Sequence, residues 1–137
     1  MRRQFLLITM LNFTSQDTSK RLLNGEGWRI GFRSDVDLYK GLVGADSWAI
    51  ELTESEFKDF CKLASRLAET MQVMATELSD GEKICCTLET EDICLEVNGF
   101  PHAFNLHFQL LTGRRSEGFW DEGAVPFLIE AIANLLD

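Results

Sequence analysis

The stretch Trp48-Ala-Ile-Glu-Leu-Thr-Glu-Ser-Glu56 carries a strand directly into a helix, and its reading decides the fold. Trp48, Ile50 and Leu52 alternate with Ala49 and Glu51, the period of two that marks a strand with one buried face. Thr53-Glu-Ser-Glu56 follows as a capping box: the Thr53 hydroxyl is placed to accept from the Glu56 amide, and the Glu56 carboxylate to accept from the Thr53 amide. Behind it Phe57, Phe60, Cys61, Ala64, Leu67, Ala68, Met71, Met74, Ala75 and Leu78 recur at intervals of three and four. That stripe predicts one long amphipathic helix from about Glu54 to Leu78. Ser79-Asp-Gly81 is the predicted stop, with Gly81 suited to a left-handed terminating position.

Upstream, ordered pattern starts at Gly25-Glu-Gly27. Trp28, Ile30 and Phe32 alternate with Arg29, Gly31 and Arg33, Ser34 to Asp37 turns, Leu38 to Val43 makes a second strand, and Gly44-Ala-Asp46 turns again. Downstream the alternation returns in Ile84, Cys86 and Leu88, in Ile93, Leu95 and Val97, and in Phe104, Leu106, Phe108 and Leu110. Turns fall at Thr90-Glu-Asp92 and Asn98-Gly-Phe-Pro101, Thr112 to Ser116 loops out, and Gly118-Phe-Trp120 forms a last short strand. Asp121 is the expected cap of a second helix through Val125, Leu128, Ile129, Ile132, Leu135 and Leu136, with Pro126 tolerated in its first turn. The expected class is α+β: two antiparallel β-meander-plus-helix halves, with the sheets covered on one face by the two helices. Leu42-Val-Gly44 and Leu111-Thr-Gly113 precede the two caps at similar distances, which suggests an old duplication.

A chain of 137 residues fits one domain and buries roughly two-thirds of its unfolded surface. We assign residues 1–21 to an N-terminal tail and residues 22–137 to the domain. Met1 to Phe13 imitates a secretory leader, but the apolar run is short, is broken by Thr9 and Asn12 and lacks a small-residue cleavage signal. It reads as a tail, with Met10 as an alternative initiator, and the run is too short to cross a membrane. Cys61, Cys85, Cys86 and Cys94 form no Cys-x-x-Cys pair and stand at no zinc spacing from a histidine. Reduced thiols in a cytoplasmic protein are expected, which leaves the Asn12-Phe-Thr14 sequon without meaning.

A net charge of −9 opposes any partner held mainly through phosphates, although a local basic patch can still act. Gly25-x-Gly27-x-x-x-Gly31 has the wrong spacing for a dinucleotide fingerprint and leads into a strand. The chain contains no Walker loop, nucleophile elbow or His-Glu-x-x-His motif. His102 reads as a turn residue and His107 as a structural strand residue. Asp35, Asp37, Glu89, Glu91 and Asp92 read as solvated turn acids. No catalytic residue, metal ligand or cofactor is expected, and the chain is read as no enzyme.

The phrases Gly25-Glu-Gly-Trp-Arg-Ile-Gly31, Tyr39-Lys-Gly-Leu-Val-Gly44, Trp48 to Glu54 and Leu110-Leu-Thr-Gly-Arg-Arg-Ser-Glu-Gly-Phe-Trp120 resemble the domain of unknown function 1818 family of cyanobacteria. The resemblance covers about Leu22 to Leu136 and leaves out the tail. It implies a fold similar to single-stranded-DNA-binding transcriptional regulators of the Whirly type, and it implies no activity. Function belongs to sites and not to folds, so the residues must supply it.

The most suggestive group is Arg114 and Arg115 with Phe119 and Trp120. Adjacent arginines beside aromatic rings suit phosphates and stacked bases of a single strand. The plainer reading makes Phe119 and Trp120 core residues and pairs the arginines with Glu117 or Asp121. Arg29, Arg33 and Lys40 extend the candidate surface, and Lys58, Lys62 and Arg66 form a ridge on the first helix. Met71, Met74 and Leu78 are expected in the core. The expected function is binding of a macromolecular partner, either a protein or single-stranded nucleic acid; an acidic protein-interaction adaptor and a nucleic-acid regulator are the alternatives, and a homodimer stays open.

Overall fold

The computed structural model describes residues 20–77 and 81–136. Strands β1 (Lys20–Gly25), β2 (Trp28–Arg33), β3 (Gly41–Gly44) and β4 (Ala49–Leu52) lead into helix α1 (Glu54–Met74). Strands β5 (Ile84–Glu89), β6 (Ile93–Phe100), β7 (Ala103–Leu110) and β8 (Ser116–Trp120) then lead into helix α2 (Val125–Leu136). Each set of four strands is an antiparallel sheet with its strands in chain order. The α+β arrangement of two meander-plus-helix halves is therefore what the chain adopts.

The alternating residues point where their period requires. Ile30, Val43 and Leu52 of the first sheet and Ile93, Leu95, Val97, Leu106 and Phe108 of the second are buried in one cluster with Phe60, Leu67 and Met71 of α1 and Leu128 and Ile132 of α2. Each such side chain stabilises the fold by roughly 1.5–3 kcal/mol relative to exposure. The helices cross between halves: α1 lies mainly over β6 and β5, whereas α2 lies mainly over β2 and touches β1.

The capping box is present as read, with the Thr53 amide donating to Glu56 Oε1 at 2.9 Å and the Glu56 amide donating to Thr53 Oγ1 at 3.2 Å. Several boundaries differ from expectation. β1 is a strand that the alternation does not announce, and its first residues Lys20 and Arg21 fall inside the stretch assigned to the tail; adjacent Leu22 and Leu23 hide the period, since one faces solvent and the other is buried. Helix α1 ends at Met74, and its turns continue to Glu77 through Thr76 N–H to Val73 O and Glu77 N–H to Met74 O. Gly81 does not terminate the helix, which closes earlier, at Ala75 in right-handed geometry. Leu78 lies outside the described residues, as do Ser79, Asp80, the first 19 residues and the sequon among them.

β6 continues through Phe100, so its hairpin turns at Pro101 and His102, and β8 starts earlier than expected, at Ser116. Asp121 supports α2 through its main-chain oxygen, which accepts from Ala124 and Val125; the helix starts only at Val125. Gly27 takes φ of +85° in the β1–β2 hairpin, a conformation open to glycine at no steric cost.

Candidate partner-binding surface

The β7–β8 loop holds the leading candidates, and its two arginines have opposite fates. Arg114 turns inward: its guanidinium donates to Glu51 O at 2.7 Å and to Glu56 Oε1, and lies 4.7 Å from the centre of the Tyr39 ring. Glu56 is only 5% exposed and serves the capping box with the same oxygen. Burial alone would raise its pKa, but the Thr53 amide and Arg114 outweigh burial and hold the carboxyl below its ordinary value. The arginine therefore ties a loop of the second half to the helix start of the first. Its partners are neither Glu117 nor Asp121, the nearest acids in sequence. Arg115, by contrast, is exposed, with φ of +42° where its amide closes a turn on Thr112 O at 3.0 Å.

The other candidate cations are also turned onto the protein. Arg29 lies across the outer sheet face and donates to Ala45 O at 3.0 Å and Trp48 O at 3.3 Å. Arg33 forms a two-pronged pair with Asp35 at 2.7 and 2.8 Å, and that contact holds Asp35 at about 2. Lys40 donates to Val36 O.

Trp120 is 0% exposed; its indole donates to Gly44 O at 2.7 Å and packs between Trp48 and Phe60. It belongs to the core and not to a stacking platform. Gly118 makes this junction possible, since a Cβ there would lie 2.1 Å from the Trp48 ring. Phe119 faces out at 46% exposure, paired in register with His107, whose Nε2 lies 2.9 Å from Glu117 Oε1. The plainer reading thus holds for Trp120 and fails for Phe119, as alternation within one strand demands.

The family described as Domain of unknown function (DUF1818) matches residues 23–135. The chain belongs to this family. No curated protein matches it. Among solved structures, a protein of unknown function from Prochlorococcus sp. NATL2A, described as a DUF155 family member, is similar with a TM-score of 0.81 and 28% identity. The match covers 85% of this chain and 99% of that one. The source of this neighbour agrees with the cyanobacterial setting that the resemblance implied. These matches do not bear on the expected likeness to Whirly-type regulators.

Among the described residues no group of three or more His, Cys, Asp or Glu side chains is placed to hold a metal ion. Burial pushes the Cys61 thiol up to about 12. Cys85 donates to Glu96 Oε2 at 2.8 Å, and this contact raises its pKa; burial and then Glu89 raise Cys94. These three thiols are poor nucleophiles at neutral pH. No helix among the described residues is long and apolar enough to cross a membrane.

An open groove of about 380 Å³ lies where β1, β2, the start of α1 and the end of α2 meet. Phe32, Phe57, Leu135 and Leu136 line it together with Lys20, Arg21, Lys58, Ser34 and Glu54. Sequence reasoning places Lys58 on the helix ridge but does not find the groove. The signal lies in pairing, because Lys20 and Arg21 reach this place only as part of β1.

Proposed function

We propose that this chain is a non-enzymatic domain that binds a protein partner. The observation that carries the reading is the engagement of Arg29, Arg33 and Arg114 by the protein's own oxygens, together with the burial of Trp120. Of the candidate single-strand site this leaves only Arg115 and Phe119 at the surface, one arginine and one ring, and the net charge of −9 adds long-range repulsion. The raised pKa values of Cys61, Cys85 and Cys94 support a role without thiol catalysis.

The test is a titration of labelled single-stranded DNA and RNA at low salt, set beside a pull-down from native cells. Capture of a defined protein that survives nuclease treatment, with no salt-dependent oligonucleotide binding, is the expected result. Oligonucleotide binding that falls steeply with salt and weakens in Arg115→Ala would instead favour the nucleic-acid regulator.

A further inference from the structure

We infer that the groove between β1 and the ends of the two helices docks a partner segment that alternates apolar side chains with carboxylates. This inference rests on the protein-binding reading and assigns it a place. The floor is apolar: Phe32 packs on Phe57 with ring centres 5.3 Å apart, and Leu136 is 59% exposed beside them. The rim is basic. Among the described residues that line it, Lys20, Arg21 and Lys58 stand against one acid, Glu54, so this lining carries a net positive charge inside a chain of net charge −9.

Only part of that positive charge is used within the fold. Lys58 pairs with Glu54 at 3.0 Å, but its side chain is 69% exposed, a pair that contributes little and is readily exchanged. Arg21 donates to Asn134 O at 3.3 Å and so anchors β1 to α2 at the groove wall. Lys20 is exposed at the groove's mouth.

The shape selects the class of occupant. A small molecule gains affinity when most of its surface is enclosed, and an open groove of about 380 Å³ encloses one side only. A protein segment needs no such enclosure, because two or three of its side chains seated on an apolar floor are enough to anchor it. Carboxylates on that segment meet the rim cations, which orients it and speeds encounter.

Selection of a random peptide display library on the full-length protein tests this without presupposing which sequence binds. The expected result is enrichment of peptides mixing Leu, Ile or Phe with Asp or Glu. Their binding should fall at least about tenfold in Lys20→Glu/Lys58→Glu and in Leu136→Asp, variants at exposed positions whose circular dichroism and melting report intact folding. Acidic peptides that bind these variants unchanged overturn the groove assignment and leave the protein-binding reading standing. Enrichment of basic peptides overturns the assignment as well. A library that yields no binder overturns the groove assignment, and a pull-down that yields no partner either overturns the protein-binding reading with it. Light scattering that shows a dimer dissociated by Leu136→Asp gives the groove to a second copy and also overturns the assignment.

Discussion

At the β7–β8 loop Arg114 faces into the protein, whereas at the groove beside β1 Lys20 and Lys58 face out. Arg114 sits against a carboxylate that is 5% exposed and loses its freedom to a fixed geometry; Lys58 sits against Glu54 with more than two-thirds of its side chain in water. The first arrangement joins the halves of the domain, and removing one partner strands a buried charge. The second contributes little to the fold, so Lys58 exchanges its partner readily. In an acidic protein the basic residues are thus divided between those that hold the molecule together and those that stay at its surface, and counts of Lys and Arg do not reveal the division.

The strongest way to break the inward half of this comparison is Trp120→Ala. Losing the ring between Trp48 and Phe60 should cost about 3–5 kcal/mol, read as a lower denaturation midpoint in urea. A change below about 1 kcal/mol would show that the halves do not depend on this junction.

Arg114→Ala comes next, at about 2 kcal/mol, less than for a fully enclosed pair because a third of the guanidinium side is exposed. Its pH dependence sharpens the point. Glu56 has a folded pKa below its unfolded value of about 4.5, so its contribution is present above that pH and is lost as pH falls through the folded value. Without Arg114, burial is less opposed and the Glu56 pKa rises. Stability curves of the two proteins should therefore converge as pH falls from neutral through the folded value of Glu56; a constant gap would assign Arg114's effect to packing on Tyr39.

Thr53→Ala removes half of the capping box and should lower stability by about 1 kcal/mol, with an unchanged midpoint counting against it. Arg115→Gly is the smallest change. It relieves φ of +42° but frees the unfolded chain, so the net effect should stay within about 0.5 kcal/mol. A larger loss would mean that Arg115, too, holds the fold.

Much of this architecture is legible in the sequence because its causes are local. Periods of two and of three to four identify seven of the strands and both helices, and the Thr53–Glu56 box places the start of α1 correctly. β1 escapes because only one of two adjacent leucines is inward, and the end of α1 escapes because apolar residues continue past the last helical turn. The candidate surface is less legible for a different reason. Arg114 finds its acceptors 58 and 63 residues away, and the groove is built from four elements, so neither follows from neighbours in sequence. Sequence shows that arginines are present in the loop, but not that one of them is already committed.

The exchange of helices between halves also sets a schedule for synthesis. Trp28 and Ile30 of β2 emerge early, yet α2, which lies mainly over β2, emerges roughly 100 residues later. At ribosomal rates of about 5–20 residues per second, that strand waits on the order of 5–20 s for its cover. During that interval the first sheet has α1 for partial shelter and no second layer of its own. A nascent chain stalled before Val125 therefore presents an apolar sheet to whatever chaperones attend the ribosome, and release of the final helix is the event that withdraws it.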